Sequence, residues 1–178
     1  YRIDQLQEEF ELSDSLSVPV GRYRYLSSQL MLMTPGTRSF YSIIMFEGGG
    51  YFDGYKLTPS IQPMWNIGTS MELGGMYQLD LIRFPGRDQR LNNHIAGLRA
   101  LYMFSTRLSL SAFVQYNSAI NKVLSNIRFR YNPKEGTDLY LVFNEGRNTR
   151  LERELPTLPV YDQRNITLKF TYTFEVQR

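Results

Sequence analysis

The stretch Asn165–Val176, NITLKFTYTFEV, decides the fold class of this chain. From Ile166 to Val176 every even position is apolar or aromatic, and every odd position is polar. A period of two over this length predicts a β-strand with one apolar and one polar face. The strand exceeds the ~5–6 residues usual in soluble sheets and matches the ~9–11 residues of a tilted strand that crosses a bilayer. We therefore predict that Asn165–Arg178 is the closing strand of a transmembrane β-barrel.

The composition agrees with a barrel and excludes several other classes. Aromatic residues make up 14% of the 178 residues, yet the mean hydropathy is −0.35, as expected when lipid-facing and lumen-facing residues alternate. No apolar run approaches the ~18 residues of a transmembrane helix. The absence of cysteine excludes disulfides and thiolate metal sites. The net charge of +3 comes from scattered basic residues, which argues against a nucleic-acid partner.

Turn signals divide the chain into about ten predicted strands of an antiparallel up-and-down barrel. They are Arg2–Leu12, Tyr23–Met33, Ser39–Tyr51, Tyr55–Trp65, Thr69–Phe84, Asn92–Phe104, Leu108–Asn117, Val123–Tyr131, Asp138–Glu145 and Asn165–Arg178. The fourth strand is weakened by Pro59 and Pro63, since each proline removes a ladder hydrogen bond. The first is too charged for a good lipid face. We therefore expect residues 1–178 to be one barrel domain, incomplete at its amino-terminal end, with upstream strands or a partner sheet pairing with the closing strand.

Predicted loop lengths give a second indication of an outer-membrane barrel. Outer-membrane barrels alternate short periplasmic turns with longer extracellular loops. Counting back from the closing strand, the outer side receives Gly146–Arg164, Ser118–Asn121, Pro85–Gln89, Phe52–Gly54 and Ser13–Arg22. The two longest predicted connections, Gly146–Arg164 and Ser13–Arg22, are both among them. This sorting favours a barrel over a soluble meander.

The two faces of the predicted strands supply the candidate functional residues. Charges that face lipid would cost ~2–4 kcal/mol each at the bilayer midplane, so polar residues are expected to face the lumen. The lumen-facing candidates are Lys56, Gln62, Glu72, Asp80, Gln115, Arg128, Arg130, Asn144 and Lys169. The residues expected to face lipid are Leu110, Val114, Ile127, Phe129, Leu139, Leu141, Phe143, Leu168, Phe170 and Tyr172. Two interpretations stay open, a selective pore and a salt-bridged interior, and we favour the second for a barrel of about ten strands.

We predict no catalytic, cofactor-binding or metal-binding residue. His94 is the only histidine, and a catalytic or metal site would need partners from other strands, so a structural role is the simpler interpretation. Gly48–Gly50 lacks the Lys-Ser/Thr of a phosphate-binding loop and precedes no helix, which favours strand curvature.

Several stretches resemble a family of bacterial outer-membrane proteins known only as a domain of unknown function. They are VPVGRY at Val18–Tyr23, GGGYFDG at Gly48–Gly54, LSLSAFVQYNS at Leu108–Ser118, NIRFRY at Asn126–Tyr131 and TDLYLVFNEG at Thr137–Gly146. In that family a β-sandwich resembling a carbohydrate-binding module precedes a carboxyl-terminal barrel. The resemblance implies that this chain is the carboxyl-terminal part of a barrel, and it supplies an architecture and a compartment but no activity.

The leading functional hypothesis is a non-enzymatic protein of the bacterial outer membrane that serves as a channel, an anchor or a subunit of an envelope complex. Its expected partners are outer-membrane lipid, the barrel-assembly machinery, other envelope proteins and the missing amino-terminal part. Phe170, Tyr172 and Phe174 are candidates for the aromatic signal that the assembly machinery recognises, although four residues follow Phe174. The alternatives are a membrane-embedded hydrolase with a site at the barrel rim and a soluble ligand-binding β-barrel.

Overall fold

The computed structural model describes residues 1–13 and 16–173, and this part of the chain forms β-strands and two short 3₁₀ turns but no α-helix. The strands are β1 (Arg2–Leu6), β2 (Phe10–Ser13), β3 (Leu16–Val18), β4 (Gly21–Tyr25), β5 (Ser27–Met33), β6 (Phe40–Tyr51), β7 (Gly54–Ile67), β8 (Met71–Phe84), β9 (Gln89–Ser105), β10 (Leu108–Asn117), β11 (Lys122–Lys134), β12 (Thr137–Asn148) and β13 (Tyr161–Tyr172). The 3₁₀ turns are Pro85–Arg87 and Leu151–Arg153. No helix in the described residues has the length and apolarity needed to span a membrane.

The large sheet contains nine antiparallel strands, β5 to β13, and each strand pairs with its neighbour in the chain. This confirms the predicted all-β class and the up-and-down order of the sheet. In the described residues the order begins at β5 and ends at β13. Phe174 and Val176, the last two residues of the predicted apolar face of the closing strand, lie outside the described residues.

The prediction of one strand over Arg2–Leu12 is wrong. The stretch forms β1, which pairs with β4, and β2, which pairs with β3, and neither belongs to the nine-stranded sheet. The predicted strand Tyr23–Met33 is likewise divided at Leu26, whose carbonyl accepts a 2.7 Å hydrogen bond from the Gly50 N–H. Strand β7, in contrast, runs through both Pro59 and Pro63 as predicted.

The loop-length prediction holds only in part. The longest connection of the large sheet, residues 149–160, is on the predicted outer side. Residues 34–39, on the predicted inner side, nevertheless form a longer connection than residues 85–88 or 118–121. Loop sorting is therefore a weaker indication of a membrane barrel than the sequence suggested.

The chain divides into two compact units. The first comprises residues 1–63, 75–96 and 117–121. Its core is formed by Leu16 and Val18 of β3 together with Ile82 and Phe84 of β8. The second unit comprises residues 64–74, 97–116 and 122–178, and its described part includes the long ladder β11–β12–β13.

Candidate functional site

A buried carboxylate, Asp80, is the centre of a polar network in the first unit. Its side chain lies on β8 and the residue is only 7% exposed. The Lys56 ammonium of β7 lies 3.4 Å from Oδ1, and the Thr58 hydroxyl donates to the same atom at 2.9 Å. The Gln78 amide donates to Oδ1 at 3.0 Å, and the Asn93 amide of β9 donates to Oδ2 at 3.2 Å. The carboxylate therefore has both a counter-ion and three neutral donors, which is what a buried charge requires.

The network continues from Asn93 to the connection between β10 and β11. The Asn93 side-chain oxygen accepts hydrogen bonds from the Ser118 hydroxyl at 3.1 Å and from the Ala119 N–H at 2.9 Å. Ser118 Oγ also accepts the His94 N–H at 2.7 Å. A single network thus fixes β7, β8, β9 and this loop to one another. Of its members, the sequence identified Lys56 and Asp80 as candidates but not that they form a pair.

We call the side of β7–β9 that carries Asp80 the polar face of the first unit. Thr58, a member of the network, and Ser60 are buried on this face, and Gln62 is half-buried on the same strand. The opposite side is apolar and exposed, and we call it the apolar face. Its large exposed side chains on β7 are Tyr55, Leu57 and Ile61. Trp65, on the part of β7 that belongs to the second unit, is 51% exposed.

The second unit also has one polar and one apolar face. Cross-strand rows place large apolar side chains of β11, β12 and β13 on one side. These rows are Ile127–Phe143–Ile166, Phe129–Leu141–Leu168 and Tyr131–Leu139–Phe170. The prediction that the outward candidates of these three strands share a face is confirmed. The row that follows Ile166 carries an ion pair, with the Arg164 guanidinium 2.6 Å from the Glu145 carboxylate, so the apolar face ends there.

The polar face of the second unit carries four of the predicted candidates. Arg130 and Lys169 lie in one row with Tyr140, and Arg128 occupies the next row. Arg130 Nε pairs with Asp138 at 2.8 Å. In the row after Arg128, Asn144 bonds to asparagines on both neighbouring strands. Its side-chain oxygen accepts a hydrogen bond from the Asn126 amide, and its NH₂ donates to the Asn165 side-chain oxygen at 2.9 Å.

The remaining candidates occupy separate positions. Glu72 of β8 is 3.8 Å from the Arg99 guanidinium of β9. Gln115 is half-buried on β10. The structure therefore gathers the candidates into local pairs and rows, and it brings only Lys56 and Asp80 together at one buried point.

His94 is exposed on the apolar face, and its Nδ1 is 2.9 Å from the Tyr77 hydroxyl. In the described residues no group of three or more His, Cys, Asp or Glu side chains is placed to hold a metal ion.

A cavity of about 590 Å³ lies where β7, β8 and β9 meet the turn at residues 85–88. It is lined by Tyr55, Arg83, Phe84, Pro85, Asp88, Gln89 and Arg90. Sequence reasoning missed this cavity because its two arginines are separated by the turn and belong to different strands. The only sequence signal is the density of arginines around Pro85.

Comparison of the chain with protein-family models, with curated proteins and with solved structures gave no match. The resemblance drawn from the sequence stays a prediction.

Proposed function

We propose that this chain is part of a bacterial outer-membrane β-barrel with a non-enzymatic role. The observation that supports it is the inverted distribution of polarity across the sheet. In the first unit, Leu57 and Ile61 are exposed while the charged Asp80 is buried on the opposite face, and in the second unit Leu168 and Phe170 are exposed. A water-soluble barrel of the ligand-binding type would bury the apolar face instead, and contiguous exposed apolar surface of this extent marks a membrane or protein contact.

A bilayer would account for both faces. Lipid takes the apolar face without a penalty, and β6 to β12 pair their backbones with a strand on each side, as hydrocarbon requires. In the second unit, groups suited to the membrane–water interface lie near the ends of the apolar face. Trp65 is two residues from the end of β7, and the Glu145–Arg164 pair lies in the row where the apolar face of β12 and β13 ends.

The Asp80 network favours an anchor or a subunit over an open channel in the first unit. A conducting lumen is lined by hydrated charges, whereas Asp80 and Asn93 are buried and hydrogen-bonded to other side chains. The same face is also the side on which Ile82 and Phe84 pack against β3. This part of the polar face is filled by protein.

Trp65, the single tryptophan, provides the test. The folded chain is reconstituted in vesicles that contain lipids brominated either near the headgroup or deep in the acyl chain. We expect both lipids to quench Trp65 fluorescence, with the shallow bromines more effective because indole rings prefer the interface.

Two relocated tryptophans in a Trp65→Phe background serve as controls. Ile61→Trp lies nearer the middle of β7 on the apolar face and should be quenched more by the deep bromines. Gln62→Trp is its neighbour on the other face and should be quenched far less. Equal quenching at positions 61 and 62, or no quenching of Trp65 in vesicle-bound protein, would overturn the proposal in favour of a soluble barrel.

We further propose that Phe170 and Tyr172 form part of the signal read by the barrel-assembly machinery. Both are exposed on β13, the last strand of the large sheet in the described residues, and the Lys134 ammonium lies 5.4 Å from the centre of the Tyr172 ring. Replacing both by alanine should lower the amount of chain inserted in the outer membrane, while Thr171→Ser should not. Pulse-labelling followed by membrane fractionation measures the difference, and equal insertion of the two variants would eliminate this role. Phe174, the third predicted member, lies outside the described residues.

A further inference from the structure

The cavity at the turn between β8 and β9 has the chemistry of an anion site. Its lining contains two guanidinium groups, from Arg83 and Arg90, but only one carboxylate, from Asp88. In the described part of the chain neither arginine forms an ion pair, so the lining carries an uncompensated positive charge. Tyr55 adds a phenol at the rim.

Arg83 is held in place by neutral oxygen atoms only. Its Nη1 donates to the Ile82 carbonyl at 2.9 Å and to the Asn92 side-chain oxygen at 2.8 Å, with a longer contact of 3.4 Å to the Leu91 carbonyl. These bonds orient the guanidinium without neutralising it. A fixed guanidinium offers paired donors that suit the oxygens of a phosphate.

Gln89 supplies an independent observation. Its Oε1 is buried and has no hydrogen-bond partner in the described residues, although the residue lines the same cavity. A buried polar atom without a partner is costly. Gln89 therefore marks a place in the cavity wall where a polar group lacks a partner within the described residues.

We propose that this cavity binds a phosphate group, either the headgroup of an anionic phospholipid or a soluble phosphate ester. Its position favours the lipid, and that choice rests on the function proposed above. Tyr55 and Arg83 share the apolar face with Leu57 and Tyr77, at the end of their strands. A phospholipid whose acyl chains cover this face would place its headgroup beside the two arginines.

The test is calorimetric titration of the full chain, folded in zwitterionic micelles, with short-chain phosphatidylglycerol, phosphatidylcholine of the same chain length, and glycerol phosphate. We expect saturable binding of phosphatidylglycerol and little binding of phosphatidylcholine, whose headgroup has no net charge. Arg90→Gln and Arg83→Gln should each raise the Kd about ten-fold or more, since each removes a charge-assisted hydrogen bond. Arg128→Gln removes an equal charge from β11 and should leave the Kd unchanged.

The outcomes separate the sources of the phosphate. Binding of phosphatidylglycerol without glycerol phosphate identifies a lipid headgroup, and equal binding of both identifies a soluble ester. Absence of saturable binding, or wild-type affinity in Arg90→Gln, would overturn the site. Arg90 has no hydrogen bond in the described structure that its replacement could break, so this variant carries the test if Arg83→Gln fails to fold. Trp65 quenching in vesicles with brominated lipids, measured on the same variants, shows separately whether the membrane proposal stands.

Discussion

Replacing Asp80 by asparagine should destabilise the folded protein far more than the same change at an exposed ion pair. Asparagine keeps the size of the side chain and one acceptor oxygen, so Thr58 can still donate to it. It removes the charge, however, and leaves the Lys56 ammonium without its counter-ion at 3.4 Å. Its NH₂ also faces the Asn93 amide, which is a second donor.

The magnitude follows from these losses. Breaking a fully buried ion pair costs ~3–5 kcal/mol, and hydrogen bonds to a charged group are worth ~1.5–3 kcal/mol. The Lys56 side chain is 24% exposed, and water can solvate part of the released charge. We therefore expect Asp80→Asn to lower the free energy of unfolding by about 2–4 kcal/mol.

The assay is urea unfolding of the folded chain in micelles, followed by Trp65 fluorescence. Asp162→Asn is the matched control, because Asp162 pairs with Lys122 at 2.7 Å but its side chain is 46% exposed. It should cost no more than ~1 kcal/mol. A double-mutant cycle with Lys56→Met should give a coupling energy of at least about 1 kcal/mol. The reasoning fails if Asp80→Asn is no more destabilising than Asp162→Asn, or if the coupling energy is zero.

Two further predictions concern the first unit. Burial and a hydrogen bond to Asp4 raise the pKa of Tyr25, on β4 outside the large sheet, to about 12. The stability that depends on the neutral phenol should be complete below the ordinary pKa of about 10 and lost as the pH rises through 12. Subtracting the alkaline absorbance titration of Tyr25→Phe from that of the wild type isolates the Tyr25 phenol. A midpoint of this difference near pH 10 would contradict the structure. Separately, Gly54→Ala should cost about 1–3 kcal/mol in urea unfolding, since its Cβ would lie 2.1 Å from the Arg83 carbonyl oxygen. Gly86→Ala meets no atom within 4 Å and should be neutral; equal effects of the two changes would refute the packing.

The sequence predicts which residues share a face because side chains alternate in any regular strand. Leu168 and Phe170 therefore lie on the same face as Leu141 and Leu139, as expected. The alternation continues through Pro59 and Pro63, which is why β7 could be predicted despite its prolines. The structure accommodates the Pro63 ring beside Gly75, which has no side chain; a Cβ on Gly75 would lie 3.1 Å from Pro63 Cγ.

Alternation does not identify the strand with which a segment pairs. Arg2–Leu12 is predicted as one strand, but it forms local pairs with β4 and β3 instead of joining the large sheet. Packing decides which strands pair, because β3 buries Leu16 and Val18 against Phe84. Such a contact joins residues far apart in the chain and leaves no periodic signal.

The Asp80 network was hidden from the sequence for a related reason. Placing Lys56 and Asp80 on polar faces requires only the period of each strand, but pairing them requires the register between β7 and β8. The contribution of Asn93 requires a third strand, and that of Ser118 requires the fold of a loop. Polar residues in consecutive strands therefore indicate a polar face, whereas their connection into one network depends on tertiary structure.

The buried state of Asp80 also bears on the choice between a membrane and a soluble barrel, which alternation leaves open. Both classes have one polar and one apolar face, and they differ in which face meets the surroundings. If water covered the outside of the sheet, the first unit would expose Leu57 and Ile61 while burying the Asp80 carboxylate beside a mostly enclosed Lys56 ammonium, and both choices would cost free energy. In a bilayer the first cost disappears, and the second becomes the cheaper option, because the same charges facing lipid would cost still more. The burial of Asp80, paired with Lys56, on the face opposite Leu57 is therefore a better reason to propose a membrane environment than the strand pattern or the lengths of the loops.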